Sequence, residues 1–122
     1  MKKTLACITE IKHYAPQRII TNYDIGLMIN KNVQYLADGI LEEKFGIKQR
    51  RFASREEQAS DLAVNAAKQI VNSENAGSFD CLIFAAGSSD MIEPATACII
   101  QHKLGLSCPA LDVKNADRKS VV

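Results

Sequence analysis

The chain lacks most of the features that reveal the chemistry of a small protein. It has neither Gly-x-Gly-x-x-Gly nor Gly-x-x-x-x-Gly-Lys, the loops that fold backbone N–H groups around a phosphate. Only Gly87-Ser88-Ser89-Asp90, after an apolar run, could imitate one. The cysteines, Cys7, Cys81, Cys98 and Cys108, are unevenly spaced, form no Cys-x-x-Cys pair and have no histidine cluster nearby, so a zinc site of the usual pattern is excluded. Buried, reduced thiols packing as small apolar side chains are expected, with Cys108, in a loop before Pro109, the one to check for adventitious reactivity. His13 and His102 are expected to be structural or solvated, the first ending a strand and the second lying off the apolar stripe of its helix.

Long apolar runs are also missing. None approaches the roughly 20 residues that cross a bilayer, and Met1-Lys2-Lys3 leads into a strand-like segment holding Thr9 and Glu10 instead of an apolar signal core. With a formal net charge of +1 there is no case for a nucleic-acid or membrane partner, and a cytoplasmic location is the expectation. No internal repeat or low-complexity linker interrupts the sequence.

What is present is an ordinary globular composition, 47% hydrophobic and 24% charged over 122 residues, which is a single-domain length. Residues 5–11 mix β-formers with alternation and predict a strand. Residues 81–86, Cys-Leu-Ile-Phe-Ala-Ala, form a continuous apolar run suited to a strand covered on both faces. Residues 110–113 give a third, short strand. Thr21-Asn22-Tyr23-Asp24 offers a helix cap with an acidic residue in the first turn. Val33, Leu36, Ala37, Ile40 and Leu41 repeat with the period of an amphipathic helix.

A further helix carries the stripe Ala63, Ala66, Ala67, Ile70 and Val71, with Ser60 as its N-cap or an earlier start at the capping box Ser54-Arg55-Glu56-Glu57, and Gly77 beyond its end. Pro94 suits the first turn of a last helix whose Ala97, Ile100 and Leu104 face inward, with Gly105 just past it. The order strand, helices, strand, helix, strand implies right-handed crossovers and an α/β fold with a mostly parallel sheet.

Five motifs in series carry a resemblance. They are Tyr14-Ala15-Pro16 with Arg18-Ile19-Ile20-Thr21-Asn22; Gly46-Ile47-Lys48-Gln49-Arg50-Arg51; Ser60-Asp61-Leu62-Ala63-Val64 with Ala66-Ala67; Pro94-Ala95-Thr96-Ala97 with Gln101, Leu104 and Gly105; and Asp112-Val113-Lys114-Asn115-Ala116. In this order they resemble the N-terminal part of the β-ketoacyl-acyl-carrier-protein synthase III family, and the likeness stops after Ala116. It implies a thiolase-like fold, N-terminal half only, with a mostly parallel sheet and helices on both faces. Residues 1–116 would be the α/β portion and 117–122 a divergent or truncated tail.

The family places a nucleophilic cysteine after the Asp-Val strand, at the start of a buried helix. Asp117 stands there in this chain. It is read either as an ordinary turn-capping aspartate or as a poor nucleophile, because a carboxylate attacking a thioester gives a labile anhydride. Arg118-Lys119 could not enter a buried core without a large desolvation cost, so residues 117–122 are read as foreign, truncated or frame-altered.

The resemblance implies a decarboxylative condensation of an acyl thioester with malonyl-ACP. It adds no cofactor beyond the substrates acyl-CoA and malonyl-ACP, and it implies acyl carrier protein as partner and a homodimer. A tryptophan and an arginine grip CoA in the family. This chain is longer between Asn22 and Gly46, so the tryptophan aligns with Tyr35 from one side or Ile40 from the other, and the arginine with Lys44. Lys44, Lys48, Arg50, Arg51 and Arg55 form a basic cluster, either a carrier-protein contact or a solvated face. Glu93 stands where related synthases often place a phenylalanine of the acyl pocket, which implies a different acyl group. Three functions stay open: an N-terminal piece of a condensing enzyme, inactive as written; a non-catalytic relative binding a carrier protein or synthase partner; and an unrelated small α/β binding domain.

Overall fold

The computed structural model describes residues 6–30 and 39–114. They fall into two compact units, a larger one of residues 1–14 and 57–122 and a smaller one, Ala15–Glu56. The predictions for Tyr35, for Val33 to Ala37 and for everything from Asn115 onward, Asp117 included, lie outside the described residues.

The smaller unit holds β1 (Arg18–Thr21), α1 (Asn22–Asn30), α2 (Ile40–Phe45) and β2 (Gln49–Phe52). The two strands pair antiparallel, Ile20 opposite Arg50 and Ile19 opposite Arg51. This pairing was not predicted, because four-residue strands rich in arginine carry little hydrophobic periodicity. The start of α1 is as expected. Thr21 Oγ1 and main-chain N–H both donate to Asp24 Oδ2, at 2.6 and 2.8 Å, and Asp24 N–H returns a bond to Thr21 Oγ1. The helix predicted through Ile40 and Leu41 does not run unbroken, since Gly39 has φ 90° and α2 starts only after it. Gly46, at φ 66°, closes α2 by donating to the Glu42 carbonyl.

The larger unit holds α3 (Ala59–Ala67), β3 (Leu82–Ala85), α4 (Thr96–Leu104) and β4 (Ala110–Val113). β3 and β4 pair in parallel, as the α/β reading required. Val64 of α3, Ala97 and Ile100 of α4 and Cys108 make the buried apolar core. The inward alternation of both strands puts Leu82, Phe84, Ala110 and Asp112 toward that core, while Ile83 (62% exposed), Ala85, Leu111 and Val113 face away. Among the described residues, helices cover one face of this sheet.

Several local expectations are corrected. α3 is capped by Gln58, whose side chain reaches the N3 backbone while Asp61 accepts the Gln58 N–H at 3.0 Å. Ser60 is unavailable as a cap because it is fully buried, with its hydroxyl accepting from Lys103 and its N–H donating to Asp90. Residues 55–56 form a turn, so the capping box at Ser54 starts no helix. The strand predicted at residues 5–11 is absent from 6–11, where Ile8 and Ile11 are 80% and 79% exposed. A strand exists only where a neighbour completes its ladder. The cysteines invert the sequence reading: Cys7, Cys81 and Cys98 are exposed and Cys108 is buried. Periodicity gave no account of them, because an exposed sheet face and an unpaired N-terminal segment leave apolar positions open to solvent.

The end of α4 follows the prediction. Gly105 takes φ 68° and its N–H meets the His102 carbonyl at 3.1 Å. At the other end Ala95, the N-cap residue, contributes no side-chain bond. Asp112 of β4 does so instead, its two oxygens accepting from Thr96 N–H at 3.0 Å and Ala97 N–H at 2.7 Å. Asp112→Ala is expected to lower unfolding free energy by about 1 to 2 kcal/mol, as removal of a helix cap does, with Asp112→Asn falling between. Urea unfolding followed by circular dichroism checks this, and an unchanged midpoint for the alanine variant would count against the clamp.

Candidate functional site

Two places carry the residues singled out by sequence. The first is the basic segment of the smaller unit. Ile40 is half-buried at the start of α2, and Lys44 is exposed in its last turn. Lys48 pairs with Glu42 at 3.2 Å, with both side chains well exposed, so the pair contributes little. Arg50 and Arg51 are neighbours in β2 and point to opposite faces. Arg50 donates to Asn22 Oδ1 at 2.6 Å and to the Thr21 carbonyl at 3.3 Å, while Asn22 Nδ2 donates to the Ile47 carbonyl at 2.7 Å. Arg51 donates to the carbonyls of Pro16 and Gln17 at 3.0 and 3.3 Å. Both guanidinium groups thus fasten β2 to the chain around β1. Arg50 and Arg51 therefore do not share one face of β2, and Lys44 is exposed on α2.

The second place is the end of the parallel sheet where β3 and β4 both finish. Parallel strands deliver their C-terminal ends to one edge, where the loop after β3 meets the start of α4. There Asp90 N–H donates to Thr96 Oγ1 at 3.2 Å, and Asp90 Oδ1 accepts from Ser60 N–H at 3.0 Å. Asp90 Oδ2 is buried without a hydrogen-bond partner among the described residues. Asp90, the last residue of the loop Gly87-Ser88-Ser89-Asp90, thus ties that loop to the starts of α3 and α4. β4 ends at Val113.

Sequence reasoning missed the network joining these groups. Lys103 Nζ donates to Ser60 Oγ at 2.8 Å and to Asp61 Oδ1 at 2.7 Å, across 42 or 43 positions of sequence. Only the inward parity of Asp112 in an otherwise apolar strand signalled a buried acceptor. Tyr14 donates its hydroxyl to Glu57 at 2.8 Å, and that bond is the main reason its phenol is held above the ordinary value. No group of three or more histidine, cysteine or acidic side chains among the described residues could hold a metal. No helix there is long and apolar enough to cross a membrane.

No protein-family model matches the sequence. Individual proteins do. A β-ketoacyl-[acyl-carrier-protein] synthase III of Koribacter versatilis is 35% identical over 103 residues, covering 83% of this chain and 29% of its own. One from Thiobacillus denitrificans is 37% identical over 105 residues, 83% of this chain and 31% of its own. The crystal structure of the Thermus thermophilus synthase III superposes with a TM-score of 0.77 at 29% identity, over 90% of this chain and 33% of that one. OleA of Xanthomonas campestris gives 0.70 at 29% identity, over 86% and 33%.

The fold is therefore thiolase-like, an α/β arrangement built on a parallel sheet with helices. Within that class the chain is a partial protein of the β-ketoacyl-[acyl-carrier-protein] synthase III family. It spans less than a third of the length of the curated relatives it matches.

The Lys103 contact has a pH signature. It is the largest reason why the Asp61 carboxyl sits below its ordinary value of 3.8, and the Gln58 N–H adds to it. Asp24 is lowered likewise, first by the Thr21 hydroxyl and then by the Thr21 N–H. A carboxyl depressed in the folded state contributes stability that is present above 3.8 and disappears as pH falls through the lower folded value. Acid titration of the fold should accordingly steepen below about pH 4. Asp61→Asn should flatten that limb by lowering stability in the neutral range, where the charged carboxylate contributes, and leave the acid end little changed. A variant that loses the same stability on acidification as the parent would remove Asp61 from this role.

Proposed function

We propose that the chain is the N-terminal portion of a 3-oxoacyl-ACP synthase III-type acyltransferase and that, as written, it does not catalyse condensation. In such an enzyme a cysteine thiolate at a helix start, favoured by the helix dipole, attacks the acyl-CoA carbonyl, and CoA leaves as its thiolate. Decarboxylation of malonyl-ACP then generates a carbanion, which attacks the acyl-enzyme, while a histidine and an asparagine stabilise the developing charge on the malonyl thioester. Here Asp117 stands in the cysteine's place, and the resemblance does not reach the histidine or the asparagine.

The observation that carries the reading is the likeness to a β-ketoacyl-[acyl-carrier-protein] synthase III over 83% of the chain. A homodimer belongs to the same proposal. It is supported by the exposed apolar residues Ile83, Leu111 and Val113, and sedimentation tests it. Incubation with labelled acyl-CoA and malonyl-ACP should give neither acyl-protein nor carbon–carbon bond formation, and Asp117→Cys should not restore turnover. Condensation product above the protein-free control would defeat the proposal.

Exposed lysine on α2 supports a second reading, a non-catalytic relative that binds acidic carrier protein. Because Arg50 and Arg51 are fastened to main-chain carbonyls, reversing them would damage β1 and β2, so Lys44→Glu with Lys48→Glu is the informative change. Binding should weaken as salt shortens the screening length toward about 3 Å at 1 M, and should be lost in the double variant. Titration of holo carrier protein that shows no binding at low salt would remove this reading.

A further inference from the structure

The chain passes between the two units twice, leaving the larger one after Tyr14 and returning to it at Glu57. These two points are bonded to each other. The Tyr14 hydroxyl donates to Glu57 Oε1 at 2.8 Å, across 43 positions of sequence, and both residues are half-buried. The bond is supported from α3. Asn65 of that helix reaches the Tyr14 phenol, Gln69 just beyond it donates to the His13 carbonyl at 2.8 Å, and Glu57 directly precedes Gln58, the cap of α3.

We infer that the Tyr14–Glu57 bond is a latch that lets residues 15–56 open and close as a unit of their own while the larger unit stays folded. Each unit is built to stand that separation. In the larger one the buried residues Ser60 and Thr96 find their polar partners in Asp90, Lys103 and Asp112, all of the same unit. In the smaller one Ile20 is buried, and Asn22, Arg50 and Arg51 bond the carbonyls of Ile47, Thr21 and Pro16.

Two devices hold the ends of residues 15–56 together. One is the pairing of β1 with β2, which sets Arg18 opposite Phe52, and the other is the latch. When the strands part, the open segment becomes a flexible loop that gains entropy if its ends separate, and this gain rises only slowly with loop length. The latch opposes it. While Tyr14 stays on Glu57, separation of β1 from β2 does not reach the start of α3; with both devices gone, the chain at Tyr14 and the cap of α3 come apart. Opening of this kind is a local event, distinct from loss of the core beside Asp112. The inference is independent of the proposed function, since it uses no partner and no residue beyond Lys114.

Native-state amide hydrogen exchange, resolved by NMR on the full chain, tests it in a double-variant cycle. Ile20→Ala empties the buried position of the smaller unit and should speed exchange in β1 and β2 about tenfold or more. The Leu62 amide, which bonds the Gln58 carbonyl at the start of α3, should keep its parent rate in that variant. Tyr14→Phe removes only the hydroxyl and should also leave Leu62 unchanged, because the paired strands still hold the ends. The two changes together should speed Leu62 about tenfold, while Ile100 in α4 keeps its rate. Glu57→Gln, which retains an acceptor, should match the parent in the Ile20→Ala background, and Ile20→Val should reproduce the pattern at smaller amplitude. Faster exchange at Leu62 or Ile100 in the Ile20 variants alone would show one cooperative body and overturn the latch. So would an unchanged Leu62 rate in the double variant.

Discussion

The carboxylate of Asp112 holds the larger unit together. It leaves a strand on the core-facing side and accepts the first two free N–H groups of α4, at Thr96 and Ala97. Those residues are fully buried, so their N–H groups have no water to turn to, and an unpaired buried donor costs on the order of 1–3 kcal/mol. One side chain therefore fixes the register between β4 and α4. From there the order spreads by contact. Thr96 Oγ1 receives the Asp90 N–H, Asp90 receives the Ser60 N–H, and Ser60 receives Lys103 from the far end of α4. The circuit of polar contacts runs from strand to helix to loop to helix and back.

This circuit sits where both strands of the parallel pair end. A polar cluster suits that position because it holds helix starts without any loop needing to be long or glycine-rich. The smaller unit uses a different means. Only Ile20 is buried among its described residues, and its strands are fastened by arginine and asparagine side chains to main-chain carbonyls. The basic cluster thus has a structural use for two of its five members, whichever partner the exposed lysine meets.

Much of the larger unit was legible in sequence. The apolar run at residues 81–86 and the short one at 110–113 read as strands, and the spacing of Ala97, Ile100 and Leu104 with Gly105 read as a helix and its stop, because burial imposes those periods directly. The β1–β2 pairing was not legible, since its arginines are chosen for reach and not for burial. Nor was the cap of α3 at Gln58, because the sequence favoured Ser60 and could not show that Lys103 and Asp90 would engage it first. The candidate site was legible as a set of residue types, and its wiring was not.

The order of motifs, the absence of a phosphate loop and the aspartate at position 117 are properties of the chain alone, fixed by residue identity and spacing. The family follows from the order of motifs, because matching landmarks in series needs no coordinates. Tertiary structure decided which groups are spent and which remain open. Arg50 and Arg51 are committed to carbonyls, Cys108 is enclosed while three other thiols face solvent, and one edge of β3 is unpaired among the described residues. These outcomes depend on distances between residues tens of positions apart. Hydrogen bonds and burial act through space, and local sequence does not encode that proximity.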